Sequence, residues 1–371
     1  MKVLHLFNQI EFSGAEIMYS NAAELFQQNN ITLYAFSTGK EEGNYINVFK
    51  DRGIKTWHKP INFYPLALKG IRYYIALYKF IKREKVDILH IHRSNLYFAA
   101  AVSRMAGISC VKTQHSTFRN RWFTLPIAIV RRLISRNLLD VTFQTIGETV
   151  YRNELNYYKN PSVRINNWID TEKFYPVIDA QEKIAIRKEL GIPEDAFALI
   201  STGSCSHVKN HNDIIKALAV IKTKANFLYV HLGNGSLEQE EKILAKELGI
   251  EKQILFLGTK ENVRDYLIAS DVFTMTSKYE GLGNAALEAM ACGIPCILYN
   301  IPGLRDLAVE ENNNMLIESN FQELAQKIIH YQENPVVVKK YAEHALKNVM
   351  SNYSMQRNAS EIVSLYKTIR K

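Results

Sequence analysis

Two kinds of apolar pattern alternate along the chain. Short runs rich in β-branched and aromatic residues predict buried strands, and longer stretches with apolar residues every three or four positions predict amphipathic helices. In the first half the strands fall at 3–7, 32–36, 55–58, 88–92, 111–115, 141–144 and 163–165, and the helices at 15–28, 66–83, 96–105, 125–139 and 148–155. The alternation breaks at Asn166-Asn167-Trp168-Ile169-Asp170. Phe174-Tyr175-Pro176 and a polar stretch at 179–183 follow, and together these read as an inter-domain linker. The pattern then restarts, with strands at 198–202, 227–232, 254–257, 272–275, 296–299 and 314–316 and helices at 210–221, 237–248, 263–268, 284–291 and 321–332. The tail, 336–371, reads as two helices broken near Tyr353. Strand–helix alternation predicts an α/β chain with two doubly wound parallel sheets and a ligand in the cleft between them. Ligands of such sheets sit at the carboxyl ends of the strands, so the loops to read are 9–14, 115–119, 203–209, 233–235, 258–262 and 277–284.

Composition narrows the classes. The 371 residues are 47% hydrophobic, enough for two cores, and 22% charged without a low-complexity tract, so disorder does not dominate. The net charge of +9 favours phosphate-rich partners. No zinc-finger, RNA-recognition or helix-turn-helix pattern points to nucleic acid, and none is expected as a partner. Cys110, Cys205, Cys292 and Cys296 are scattered and read as reduced, mostly buried thiols; no His or Cys pair stands near Cys292 and Cys296 to complete a zinc site. No metal site is expected. Met1 leads straight into a strand without a signal-peptide pattern, and no apolar run reaches membrane-spanning length. The expectation is a cytoplasmic protein, soluble or peripheral on the inner face of the plasma membrane.

The segment from Glu280 to Ile297 carries the most chemistry. A Gly281-Leu282-Gly283 loop opens into a helix, with Glu280 and Glu288 on either side. The amides and dipole of a helix N-terminus can hold a phosphate, and carboxylates accept hydrogen bonds from sugar hydroxyls. The competing reading is an ordinary helix whose acidic residues complement its dipole. Lys209 ends a glycine-led loop just before a helix, where a lysine can neutralise a diphosphate, although a solvated surface lysine would look the same. His115 ends a strand and faces the expected cleft. His90 and His92 alternate on a strand and read as core or sheet-face histidines. Gly14 stands at the first strand-to-helix turn, too isolated for a dinucleotide fingerprint, and is equally a simple turn glycine.

Several motifs recur in order: Ser13-Gly14-Ala15-Glu16, Asp87 to His92, His115, Ile165 to Asp170 with Phe174, Gly203 to Lys209, Gly233-Asn234-Gly235, Ser270-Asp271-Val272, Ser277, Glu280 to Glu288, and Cys292-Gly293-Ile294-Pro295. In that order and spacing the chain resembles the retaining GT-B glycosyltransferases of family 4, the group 1 glycosyl transferases. The resemblance implies two Rossmann-like domains facing a central cleft. Residues 1–167 would bind the acceptor, 168–353 the nucleotide sugar, and the C-terminal helix within 354–371 would cross back to the first domain. It implies metal-independent transfer, with retention, from a nucleotide-diphosphate sugar to a saccharide or lipid-linked saccharide, as in capsule or lipopolysaccharide assembly. A UDP-sugar ranks ahead of a GDP-sugar, and no cofactor is needed beyond the donor. Glu280 would contact the donor sugar, Glu288 the ribose 2′- and 3′-hydroxyls, Lys209 the leaving diphosphate, and His115 the donor sugar. Gly14, Ser204, Gly233, Gly235, Gly258, Gly281, Leu282, Gly283 and Asn284 would complete the donor side.

Ser204 departs from the family pattern, which has an arginine directly after this glycine. A serine brings no charge, and His207 is the nearest substitute cation. A non-catalytic nucleotide-sugar binder is therefore one alternative; a GT-B sugar-nucleotide epimerase is a separate one, with only Glu11 and Glu16 to move protons in its first loop. Arg119, Arg121, Arg131, Arg132 and Arg136, set among Trp122, Phe123, Ile127, Ile129, Val130, Leu133 and Ile134, fit either an anionic-membrane contact or a domain helix with a solvated basic face.

Overall fold

The computed structural model describes residues 1–60, 68–92, 96–117, 119–224 and 226–371. The expected helix start at 66–67 lies outside the described residues. The chain forms two compact units, Met1–Asp170 with Met355–Lys371, and Thr171–Ser354.

The first unit holds a parallel sheet of β1 (Lys2–Phe7), β2 (Thr32–Ser37), β3 (Lys55–His58), β4 (Ile88–Ile91), β5 (Ser109–Gln114), β6 (Val141–Thr145) and β7 (Val163–Arg164), ordered β3-β2-β1-β4-β5-β6-β7. Alternate residues feed opposite faces. Val3, Phe7 and Leu33 pack with Phe26 on one side, while Leu4, Leu6, Tyr34 and Phe36 pack with Leu77 and Phe80 on the other. The helix Met355–Ile369 belongs to this unit, where it buries Ala359, Ile362, Val363 and Tyr366 in the Val3 cluster. Its start is pinned by Met355 N–H donating to the Ile169 carbonyl at 3.0 Å and by Asn358 Nδ2 donating to the Asn167 carbonyl at 3.1 Å.

The second unit repeats the plan. Its strands are β8 (Phe197–Thr202), β9 (Phe227–Leu232), β10 (Ile254–Phe256), β11 (Val272–Met275), β12 (Cys296–Tyr299) and β13 (Leu316–Ile317), all parallel and ordered β10-β9-β8-β11-β12-β13. The strand order reverses between β1 and β4 in the first sheet and between β8 and β11 in the second. At such a switch point the connections turn to opposite faces of the sheet, and ligands of open α/β sheets bind in the crevice outside the carboxyl ends of these strands.

Four local readings need correction. The polar stretch 179–183 is the start of a helix, Ala180–Leu190, and not linker. Asp179 caps it by accepting from the Glu182 N–H at 2.9 Å, and its charges are spent inside the second unit, Lys183 and Arg187 on Asp271 and Glu182 on Arg264. The helix at 15–28 divides at Ala22 into Gly14–Asn21 and Ala23–Gln28. The helix at 148–155 is α-helical over Glu148–Arg152 and then widens to a π-turn, Asn153–Tyr157. There the buried Glu154 carboxylate takes two bonds from Arg132 at 2.8 Å. The residues before β13 form a 3-10 turn, Glu310–Met315, so the strand begins at Leu316. A short helix at Ile46–Asp51 carried too few apolar positions to show a period.

Candidate functional site

In the second unit the loop after β8 and the loop after β11 leave the switch point side by side, and they are stitched together. Thr276 Oγ1 donates to the Asn210 carbonyl at 2.9 Å, and the Lys278 N–H donates to the Val208 carbonyl at 2.8 Å. That stitching brings Lys209 against Glu280. Lys209 Nζ donates to Glu280 Oε1 at 2.7 Å, with side chains 24% and 14% exposed. Two charges that sequence reasoning assigned to different parts of a donor thus hold each other at the mouth of the crevice. The pair is partly solvated, so it can exchange for ligand contacts without stranding a charge in a dry core.

Glycines shape the floor. The Gly203 N–H donates to the Leu232 carbonyl and the Gly233 N–H to the Gly258 carbonyl, each at 2.9 Å, tying three strand ends together. Gly233 has φ 140°, and a Cβ there would lie 1.9 Å from the Gly203 carbonyl oxygen, so no other residue fits. Gly235 and Asn234 close on the same loop, where the Cys205 N–H donates to the Asn234 carbonyl at 3.2 Å. Gly258 lies beside the Asn234 side chain. Ser204 is exposed, its Oγ 3.3 Å from Ser206 Oγ, and His207 is exposed as well.

Gly283 is the left-handed N-cap of the helix Asn284–Ala291. Leu282 is buried, whereas Gly281 and Asn284 keep part of their surface open. Sequence reasoning missed Gly303, whose Cβ would meet the Glu280 carbonyl oxygen at 2.5 Å. It forms the wall that sets the Glu280–Gly281 backbone, and the Pro302-Gly303 pair was the available signal. One helical turn into Asn284–Ala291 stands Glu288, partly open to solvent. The protein packed around it pushes its carboxyl up to about 7, while Lys173 and Lys209 pull the other way.

Gly14 and His115 belong to the first unit. Gly14 is the exposed first residue of its helix, preceded by Ser13, whose hydroxyl bonds Glu16. His115 Nε2 lies 3.1 Å from His92 Nδ1, and His92 Nε2 lies 2.9 Å from His5 Nδ1, so three imidazoles form a chain into the core. His90 and His92 are buried, as expected of core histidines, and burial lowers both pKa values.

All four cysteines are free and buried. Among the described residues two clusters bring candidate metal-ligand atoms within 4.8 Å of one another, His5 with His90 and His92, and Cys205 with His211, His231 and Glu241. No helix among the described residues is long and apolar enough to cross a membrane. The helix Leu125–Asn137 and the turn before it leave Trp122, Phe123, Ile127, Val130 and Ile134 exposed beside Arg121 and Arg131.

Known proteins agree with this architecture. The family model "Glycosyl transferases group 1" matches residues 182–350, and "Glycosyltransferase Family 4" matches residues 12–173. The chain is 27% identical over 386 aligned positions to the Escherichia coli UDP-Gal:alpha-D-GlcNAc-diphosphoundecaprenol alpha-1,3-galactosyltransferase, covering 99% of this chain and 96% of that one. It is 28% identical to the Bacillus anthracis N-acetyl-alpha-D-glucosaminyl L-malate synthase, over 78% of this chain and 75% of the other. Its fold matches a Rickettsia africae glycosyltransferase with TM-score 0.84 at 18% identity, covering 99% and 98% of the two chains. It also matches Anabaena HepE in complex with UDP-glucose, with TM-score 0.83 at 18% identity, covering 99% and 100%. The chain belongs to the group 1, family 4 glycosyltransferases of GT-B fold.

Proposed function

We propose that this glycosyltransferase moves a sugar, with retention and without a catalytic metal, from a UDP-sugar to a saccharide or lipid-linked saccharide in bacterial surface-polysaccharide assembly. The observation that carries the reading is the Lys209–Glu280 pair at the β8/β11 switch point, beside the N-terminus of Asn284–Ala291. On arrival of a donor, Lys209 turns to the diphosphate, and Glu280 is released to accept from sugar hydroxyls. The amides of residues 281–284 face the sugar and phosphates, and Glu288 takes the ribose hydroxyls. Gly203, Gly233, Gly235 and Gly258 keep the backbone close to the nucleotide. The first unit supplies the acceptor side, with Gly14 at its first loop and His115 held by His92.

The donor class is supported by the names of the relatives, a UDP-Gal-dependent enzyme and a HepE complex with UDP-glucose. A lipid-linked acceptor is supported by the diphosphoundecaprenol in the former's name and by the exposed basic, aromatic face around Trp122. That face fits peripheral contact with an anionic membrane from the cytoplasmic side.

The test is a panel of nucleotide sugars on the purified protein, following thermal stabilisation and slow donor hydrolysis, with Glu280→Ala as control and acceptors offered on anionic vesicles. A UDP-sugar that stabilises the protein and is consumed only when Glu280 is intact supports the reading. Stabilisation with no turnover, even with lipid-linked acceptors, favours a non-catalytic binder. The exposed, uncharged Ser204 motivates that second reading. Recovery of turnover by Ser204→Arg would then identify the missing cation.

A further inference from the structure

The loop that ends in Lys209 has a second anchor beneath it. Cys205 follows β8, His211 opens the helix His211–Ile221, His231 lies on β9, and Glu241 lies in the helix Glu238–Glu247. All four are buried, with exposures of 0%, 3%, 0% and 1%. Cys205 Sγ lies 3.2 Å from His231 Nε2, and His211 Nδ1 lies 3.2 Å from Glu241 Oε1. One ligand atom from each residue falls within 4.8 Å of all the others.

Hydrogen bonds pair these groups, Cys205 also with Glu241, but leave the set incomplete. Glu241 Oε2 is buried and has no hydrogen-bond partner. A buried carboxylate left half-satisfied is costly unless another charge completes it. The other ring nitrogen of His231 is already engaged, with Nδ1 3.0 Å from Ser201 Oγ, itself 2.6 Å from the Tyr229 hydroxyl. With Nδ1–H donating to that hydroxyl, the Nε2 lone pair is left for the cluster.

We infer that Cys205, His211, His231 and Glu241 form a structural zinc site that anchors the phosphate-side loop to β9 and the helix Glu238–Glu247. The ligand chemistry fits. One thiolate and one carboxylate balance a divalent cation, two neutral imidazoles complete a tetrahedral set, and softness with geometry favours zinc. Ordinary Zn–S, Zn–N and Zn–O bonds span tetrahedron edges of roughly 3.3–3.7 Å, so a contraction of about 1 Å closes the cluster. Binding replaces the Cys205 S–H with a Zn–S bond and releases that proton to solvent. Four protein ligands leave no open position, which makes the metal structural rather than catalytic. The His5, His90 and His92 cluster lacks these features. It has no anionic ligand, and the Lys112 ammonium donates to the His92 carbonyl beside it.

The experiment strips the full chain with a chelator, confirms that it stays folded, and titrates it with Zn2+ and, as a spectroscopic probe, Co2+. Uptake of one equivalent is expected, with tetrahedral cobalt bands and a thiolate-to-cobalt charge-transfer band. Cys205→Ser should abolish the charge-transfer band and lower affinity by about 100-fold or more, while Cys110→Ser leaves both intact. If Cys205→Ser does not fold, the wild-type spectrum still decides. No stoichiometric uptake by folded protein, or a weak octahedral spectrum without a thiolate band, overturns the inference. So does unchanged binding in folded Cys205→Ser. Uptake is read without any glycosyl donor, so it stands or falls independently of the proposed reaction.

Discussion

Lys209 and Glu280 lie 71 residues apart and meet at 2.7 Å because two strand-end loops share hydrogen bonds. If Lys209 meets the leaving diphosphate, Lys209→Ala should lower turnover by about 10²–10³-fold, the usual cost of removing one such stabilising donor. Donor consumption under saturating conditions checks it. Glu288 makes a separate prediction. Its carboxyl is raised to about 7 by burial, so it is protonated below that pH and ionised above it. If Glu288 takes the two ribose hydroxyls, the ionised form accepts them best, so UDP affinity should rise through pH 7 and fall below it. Between pH 8 and pH 6 the ionised fraction drops about tenfold, and apparent affinity should follow. Calorimetric titration of UDP against pH measures this, and Glu288→Gln should flatten the profile. The glycine and carboxylate pattern of residues 280–288 was readable because it is contiguous. Gly303 and the Cys205 cluster were not, since their partners come from separate stretches that only packing brings together.

Loops and helices carry the next set of constraints. Gly233 abuts the Gly203 carbonyl so closely that Gly233→Ala must push β8 and β9 apart at their carboxyl ends. Its positive φ adds strain, and the combined cost should be of order 3 kcal/mol, visible as a lower urea midpoint with an unchanged slope. The helix Ala180–Leu190 shows the opposite case. Its polar sequence hides it, because the charges that look solvated are consumed by Asp271 and Arg264. Asp179→Ala removes its cap and should cost about 1 kcal/mol. A shift in the thermal midpoint without loss of donor binding would confirm that this cap serves the fold alone. Strands were the most legible elements, since buried parallel strands are short continuous apolar runs that a half-buried helix does not mimic. Helix ends were less so, as at Ala22 and Asn153, where local backbone geometry changes without a change in apolar pattern.

Across the whole chain, the last helix completes a core that the first residues begin. Met355, Ile362, Val363 and Leu365 are buried with Val3 and Phe26. At about 1.5–3 kcal/mol each, their burial contributes roughly 6–12 kcal/mol, as much as the entire net stability of a typical domain. A chain ending at Ser354 should therefore lose the cooperative unfolding of the first unit while the second keeps its own sheet. Hydrogen exchange resolved by segment would show protection surviving in β8, β9, β11 and β12 and collapsing in β1, β2 and β4.

Apolar periodicity sufficed to specify strands, most helices and an α/β plan, because each of those signals is local and repeats within a few residues. Motif order sufficed for the family, because its glycines and carboxylates stand close together in the chain. The place of the C-terminal helix was expected from the family resemblance, but packing alone settled two further points: that Lys209 is paired with Glu280, and that Cys205, His211, His231 and Glu241 converge. Each joins residues from separate elements, and no local pattern encodes a contact whose two sides are placed by different strands of one sheet.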